Sequence, residues 1–207
     1  SKAHFYGNQI THSGSVSAQS VALANFSSVS SSQGSVSAST LSLSGGSDSK
    51  SGSSVDLSAK TNQVSTLFAS GFFDSLSVRS TSSLTVGEKP EEGGEFNSLS
   101  VQNLDLRVDG GDLSMNVLPA PVLSTSDNSL LLAAENNLAF AYDLSLFSHA
   151  RKILYGRNLS AAPYADEDLA LGSIVSLNAN SVLIDDLSPT LSPSVILALS
   201  QDNPTFE

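Results

Sequence analysis

Over much of the chain apolar and polar residues take turns, the period of a strand with one buried and one wet face. Phe73-Asp-Ser-Leu-Ser-Val78 returns as Phe96-Asn-Ser-Leu-Ser-Val101. Each copy is followed by a second alternating stretch that ends in glycine, Ser83-Leu-Thr-Val-Gly87 after the first and Leu104-Asp-Leu-Arg-Val-Asp-Gly110 after the second. Upstream, Gly14-Ser-Val-Ser-Ala18 recurs as Gly34-Ser-Val-Ser-Ala38, and the copies run on into Val21-Ala-Leu23 and Leu41-Ser-Leu43. Phe26-Ser-Ser-Val-Ser30 is a weaker copy of the Phe-x-Ser-Leu-Ser phrase, and Val55 to Ala59 and Val64 to Ala69 keep the strand character. A period of roughly twenty residues, holding two short strands and a turn, marks units that cannot bury their apolar face alone and must be covered by neighbours. The expected fold is all-β. The alternation alone leaves three forms open, a β-solenoid, a fibre-like shaft and a sandwich.

The breaks in the pattern suggest an organisation. Ser1 to Ser13, with His4, Phe5, Tyr6, Ile10 and His12, is expected to be a docking strand or arm, residues 1–13. Gly45 to Ser54 reads as a flexible loop, and Gly87 to Glu95 as an acidic turn insertion that projects into solvent. The composition shifts at Leu118-Pro-Ala-Pro-Val122, with 31 serines in residues 1–118 and 13 in 119–207. A boundary there separates a serine-rich β-repeat region, 14–118, from a compact β-rich head, 119–207. The head is expected to hold strands at Ser129–Ala133, Leu138–Tyr142, Ser173–Leu177 and Ser181–Ile184, an apolar run at Val195–Leu199, and one short helix over Leu146–Tyr155. Ser145 would cap that helix, Gly156 would end it, and Leu146, Phe147, Ala150, Ile153 and Leu154 would form its apolar stripe, with Arg151 and Lys152 complementing the dipole.

Composition narrows the function classes. Of the 207 residues 40% are hydrophobic and 14% charged, a balance with enough apolar surface to fold, unlike that of a disordered acidic tail. A net charge of −11 argues against nucleic acid as a partner, because phosphate neutralisation takes clustered Lys and Arg. No apolar run reaches the ~18 residues that span a bilayer, so membrane insertion is not expected. The chain has no cysteine, so disulfides and thiolate metal sites are unavailable. The opening Ser1-Lys2-Ala3, without Met, fits a processed secreted protein or a trimmed virion protein.

The alternating phrases Ser-Leu-Ser-Val, Leu-Thr-Val-Gly and Leu-Asp-Leu-Arg-Val-Asp-Gly, within residues 14–117, resemble the shaft repeats of trimeric phage and animal-virus fibres. That resemblance implies a homotrimeric rod ending in a receptor- or glycan-binding head. The drift in spacing, the Gly45–Ser54 loop and the acidic insertion depart from such repeats and suit equally a secreted filament subunit or a β-sandwich whose strands only look repetitive.

Chemistry is sparse. No Gly-x-Ser-x-Gly elbow is present, and Gly14-Ser-Val-Ser and Gly34-Ser-Val-Ser lie within strands, so no catalytic residue is assigned and the chain is not expected to be an enzyme. His149, off the stripe of the expected helix, is expected to be exposed. His4 and His12 have no zinc spacing. Asp109/Asp112, Asp166/Glu167/Asp168 and Asp185/Asp186 fall short of a calcium loop's ligand count, so no metal or cofactor is assigned and solvated acidic turns are the default, with a weak structural calcium site as the alternative. Asn25-Phe-Ser27 and Asn158-Leu-Ser160 are sequons, which make Asn25 and Asn158 glycosylation candidates. The function expected is a self-assembling structural subunit of an extracellular, cell-surface or virion fibre or filament, a homo-oligomer built as a trimer or a helical filament. The alternative is an adhesin or a receptor- or glycan-binding module.

Overall fold

A run of short strands, each apolar on one face only, is stabilised when successive strands stack their apolar residues over one another. The computed structural model describes residues 1–31, 33–45, 52–59, 61–88, 97–122, 127–142, 148–149, 151–156, 158–161 and 196–198. In it the chain coils into a parallel β-solenoid of about 6 turns. One wall is an 8-stranded sheet with β1 (Lys2–Tyr6), β3 (Ser15–Phe26), β5 (Ser35–Gly45), β7 (Gln63–Ser70), β9 (Leu84–Val86), β11 (Leu113–Met115), β14 (Asn137–Phe140) and β16 (Asn158–Ala161) in spatial order. The other wall is a 9-stranded sheet that runs from β2 (Gln9–Thr11) through β4 (Ser28–Ser30), β6 (Ser53–Leu57), β8 (Phe72–Ser80), β10 (Ser98–Val108), β13 (Ser129–Ala134) and β15 (Arg151–Tyr155) to β17 (Ile196–Ala198). The short β12 (Leu118–Ala120) pairs with the start of β10.

Register stacks like on like. In the first wall Val21, Leu41, Leu67, Val86, Met115 and Phe140 form one continuous column. In the second, Val29, Val55, Leu76, Leu104 and Leu130 form a column, and Leu57, Val78, Leu106, Leu132 and Leu154 form the next. All of these residues are buried in the lumen between the walls. The polar residues between them face outward, which explains how so serine-rich a chain can have a dry interior.

Two of the repeats seen in the sequence are true rungs. Ser15 to Ala18 pair with Ser35 to Ala38, so the glycine-led phrase stacks on its own copy. The weak copy at Phe26 is structurally sound as well. Ser28 and Val29 stack through Ser54 and Val55 onto Ser75 and Leu76, and the Phe26 and Phe73 rings lie two turns apart with centroids 6.5 Å from each other. The most conspicuous repeat is out of register. Leu76 and Val78 stack on Leu104 and Leu106, whereas Val101 lies against Phe73. The glycine-ended stretches also separate, since Leu84–Val86 belongs to the first wall and Leu104–Val108 to the second. Any segment of alternating residues satisfies the same local rule, so identical wording does not fix which strands become neighbours.

The corners are held by buried polar groups. Asn62 accepts the Val36 N–H through Oδ1 at 2.9 Å and donates from Nδ2 to the Leu57 carbonyl at 2.7 Å. Ser80 Oγ accepts from Val64 N at 3.0 Å, and Ser53 Oγ donates to the Phe26 carbonyl at 2.7 Å. These side chains supply partners to backbone groups that the sheet pairs leave over at the bends. Asn25 does the equivalent job for backbone shape. It sits at φ 57° where the register between β3 and β5 shifts, a bulge that turns the following Phe26 into the core. Gly87 at φ +75° is required at its corner both for that angle and because a Cβ would strike the Val117 side chain.

The expected strands at Val55–Ala59, Val64–Ala69, Ser129–Ala133 and Leu138–Tyr142 correspond to β6, β7, β13 and β14. The expected helix over Leu146–Tyr155 is corrected. Arg151–Tyr155 is strand β15, paired in parallel with β13 from Ser129↔Arg151 to Ala133↔Tyr155, and residues 143–147 and 150 lie outside the described residues. An isolated ten-residue helix is marginal, whereas the edge of β13 offers a row of unpaired amides and carbonyls to a segment containing Ile and Tyr. Both walls run on past Pro119 and Pro121, since β10 pairs with β13 and β11 with β14, so the fall in serine marks no break in pairing. Residues 1–13 supply β1 and β2, the first rung of the same walls. The expected strands at Ser173–Leu177 and Ser181–Ile184 lie outside the described residues. Within the apolar run at Val195–Leu199, Ile196–Ala198 forms β17 and pairs antiparallel with β15.

Two substitutions test this construction. Asn62→Ala leaves two buried backbone groups without partners and is expected to cost roughly 2–4 kcal/mol, read as a lower denaturant midpoint. At the bulge, Asn25→Gly is expected to stay within about 0.5 kcal/mol of wild type and Asn25→Val to lose roughly 1–2 kcal/mol, because a β-branched residue resists the left-handed region.

Candidate functional site

With the lumen filled by aliphatic columns, any recognition chemistry among the described residues must lie on the outer faces or at the ends. The outer face of the 9-stranded wall carries the most organised polar group. Asp56 on β6 pairs in register with Ser77 on β8, and Ser77 with Asp105 on β10. One column along, Arg79 and Arg107 are direct neighbours on adjacent rungs. Two guanidiniums side by side repel, and each is compensated by its own carboxylate. Arg79 donates to both Asp109 oxygens, at 2.6 and 3.0 Å, in a largely buried pair. Arg107 holds Asp105 at 2.9 and 3.0 Å on the same strand face. Fork-to-carboxylate pairing fixes both side chains in one orientation. Asp56 is fixed too, its Oδ1 accepting from Ser58 N at 3.1 Å and Ser58 Oγ at 2.5 Å. Asp56, Ser58, Ser77, Arg79, Asp105 and Arg107 line a groove of about 490 Å³ across three rungs.

A second shallow groove, of about 410 Å³, crosses the outer face of the 8-stranded wall over Ala22, Ser42 and Phe68 and reaches Glu88 and Asn97 at one end.

The first rung is different in kind. Among the described residues β1 and β2 each have a strand on one side only, so they form the edge of both walls. At the two ends of β1, Ser20 N donates to the Ser1 carbonyl and Gly7 N to the Ala24 carbonyl. In a parallel pair the bonding residues alternate, so Ser1, Ala3, Phe5 and Gly7 face β3 and the backbone groups of His4 and Tyr6 face away from it. Phe5 and Tyr6 are the exposed aromatics of this end, with the His4 ring stacked on Tyr6 at 6.3 Å. Behind them a cavity of about 70 Å³, lined by Phe5, Ile10, Val16 and Val29 among others, opens into the apolar lumen.

The residues singled out in the sequence are scattered. Asn25 is exposed on its bulge, while Ser27 of the same sequon donates its hydroxyl to the Asn8 carbonyl at 2.8 Å. Asn158 opens β16, more than one turn beyond the groove. His12 is half-buried with Nε2 3.1 Å from the Ser35 carbonyl, packed where a Cβ on Gly34 would come within 2.5 Å of its ring. His149 is corrected from exposed to fully buried, with Nε2 3.0 Å from the Val101 carbonyl. It is outside any helix, so helical spacing was the wrong guide to its surroundings. The acidic pair separates, for Asp109 holds Arg79 and Asp112 accepts from Asn137 N and Nδ2 at 3.0 and 2.8 Å. Asp166/Glu167/Asp168 and Asp185/Asp186 lie outside the described residues. Among the described residues no group of three or more His, Asp or Glu could hold a metal ion, and no helix is long and apolar enough to cross a membrane. Tyr142 is buried against Phe140, and burial pushes its phenol pKa well up, so it remains protonated.

Sequence reading missed the Arg79–Arg107 groove. The available signal was the pair Ser75-Leu-Ser-Val-Arg79 and Asn103-Leu-Asp-Leu-Arg107, in which apolar-x-apolar-Arg is repeated. The more exact match at Phe96 to Val101 drew the alignment to the wrong copy.

No family model, no curated protein and no solved structure matches this chain.

Proposed function

We propose that the protein is a structural subunit that assembles with copies of itself into a fibre or filament of an extracellular, cell-surface or virion surface. The observation that carries this reading is the open first rung. In both walls the edge strand presents backbone donors and acceptors with no strand beside them among the described residues, next to exposed Phe5 and Tyr6 and an unfilled end of the apolar lumen. Solvent-facing edges are ordinarily blunted by charge, proline or a bulge. Here Lys2 is the only fully charged side chain on β1, and β2 has none. A parallel wall repeats one bond pattern at each rung, so an added strand from another copy would meet the chemistry that β3 and β4 already meet. The outward rows of Ser and Thr and the net charge of −11 suit such an assembly, since they keep its sides wet and mutually repelling. Function in this reading is the assembly itself, with no catalytic step.

The test uses the backbone geometry of β1. His4→Pro and Tyr6→Pro each remove an N–H that faces away from β3. Wild type is expected to scatter light as a species heavier than one chain and to give regular particles under negative stain, and each proline variant to run as a single chain with an unchanged far-ultraviolet circular dichroism spectrum. Wild type that remains a single chain at every concentration would overturn the proposal.

A further inference from the structure

We propose that the groove on the outer face of β6, β8 and β10 is a binding site for a neutral oligosaccharide. The argument begins with what the groove can hold. Its two guanidiniums are each hydrogen-bonded to a carboxylate of their own, so Arg79 and Arg107 leave no surplus positive charge, and Asp56 adds a negative one. A phosphate, sulfate or uronate would therefore meet net repulsion. Val55 and Val78 are the aliphatic residues at the groove, and both are buried in the lumen, so there is no apolar wall for a hydrophobic ligand or a peptide anchor. Strand addition is excluded as well, because β6, β8 and β10 each have neighbours on both sides. A metal ion lacks ligands, since no third acidic or imidazole group joins Asp56 and Asp105 among the described residues.

The groups that remain suit a molecule with closely spaced hydroxyls. Ser58 occupies one oxygen of Asp56, and Oδ2 has no protein partner among the described residues. The hydroxyls of Ser75 and Ser77 likewise have no protein partner among them. A carboxylate oxygen accepts from a sugar hydroxyl, a serine hydroxyl both donates and accepts, and the paired Arg–Asp forks hold their edges in fixed planes. Adjacent rungs are about 4.8 Å apart and residues along a strand about 3.3 Å, so the polar groups form a grid at the scale of neighbouring hydroxyls on linked sugar rings. The grid is part of a sheet whose inward side is locked by Leu76, Val78, Leu104 and Leu106, so little ordering is left to the moment of binding. The site lies on rungs away from β1 and β2, so binding and assembly can fail separately.

The experiment is a soluble array of linear hexasaccharides of glucose, mannose, galactose and xylose, with polyuronate and sulfated chains beside them, followed by titration calorimetry on the strongest ligand. A neutral hexasaccharide is expected to bind with a Kd below about 1 mM. Asp56→Asn and Ser77→Val are both expected to weaken it about tenfold or more, with melting temperatures near that of wild type, because both side chains are on the solvent side. Thr40→Ala, on the opposite wall, is expected to leave the Kd unchanged. Absence of any neutral ligand at that concentration, preference for the charged chains, or full binding by both groove variants would each overturn the assignment.

Discussion

Every turn of this solenoid depends on the stacking of buried aliphatic side chains on the turn beneath. A single turn has two short strands, far below what can fold alone, and its inward residues acquire partners only when the next turn is laid over them. Each fully buried Leu or Val contributes roughly 1.5–3 kcal/mol relative to exposure, and the three columns traced here run through five or six strands apiece. That constraint touches alternate residues only. Position by position it demands an aliphatic side chain inward and tolerates almost anything small outward, which is why serine can fill the second set without harming the fold.

Freedom in turn length follows from the same constraint. Hydrogen-bonded partners need equal spacing within a wall, but the chain between walls can be short or long. Ser15 finds Ser35 twenty residues on, while the Arg79 side chain reaches Asp109 thirty residues away. The loop between Gly45 and Ser53 and the acidic insertion between Gly87 and Asn97 both fall between a strand of one wall and a strand of the other. What the corners cannot tolerate is an unpaired backbone group facing the lumen, and Asn62, Ser80 and Ser53 are placed to prevent that. Asn25 belongs with them, as a polar residue whose value lies in the backbone angle it accepts.

These physical rules decide what could be read in advance. The inward and outward assignment was legible from alternation at Val21 to Leu23, Leu41 to Leu43 and Leu76 to Val78, because burial acts on each residue through its own strand. Direct adjacency between strands was legible in the glycine-led repeat, Ser15–Ala18 on Ser35–Ala38, and the Phe26 copy marked an alignment with Phe73 through the strand between them. It was lost between Phe73–Val78 and Phe96–Val101, where several registers satisfy the same aliphatic pattern and the corner length breaks the tie. The helix over Leu146–Tyr155 failed for a related reason, since Ile153 and Leu154 fit a helical stripe but the free edge of β13 imposed a strand. The groove was the least legible feature. Arg79 and Arg107 become neighbours only through that register, so the site exists in the fold and has no compact signature in the chain.

The two ends of the solenoid differ in a way that bears on the proposed assembly. At the far end of the 9-stranded wall β17 pairs antiparallel with β15, which ends the parallel pattern there, whereas among the described residues β1 and β2 leave it open in both walls. A second copy approaching the first rung with its own first rung can pair β1 with β1 and β2 with β2, antiparallel in each case, across a single two-fold axis. That contact closes on itself. Approach of the first rung to the far end instead continues the parallel pattern against β16 in one wall but meets the reversed strand β17 in the other. It leaves a free first rung on each added copy, so growth continues. In the proposed assembly the antiparallel strand would set the choice between a closed pair and an open filament, through how well β2 seats against β17.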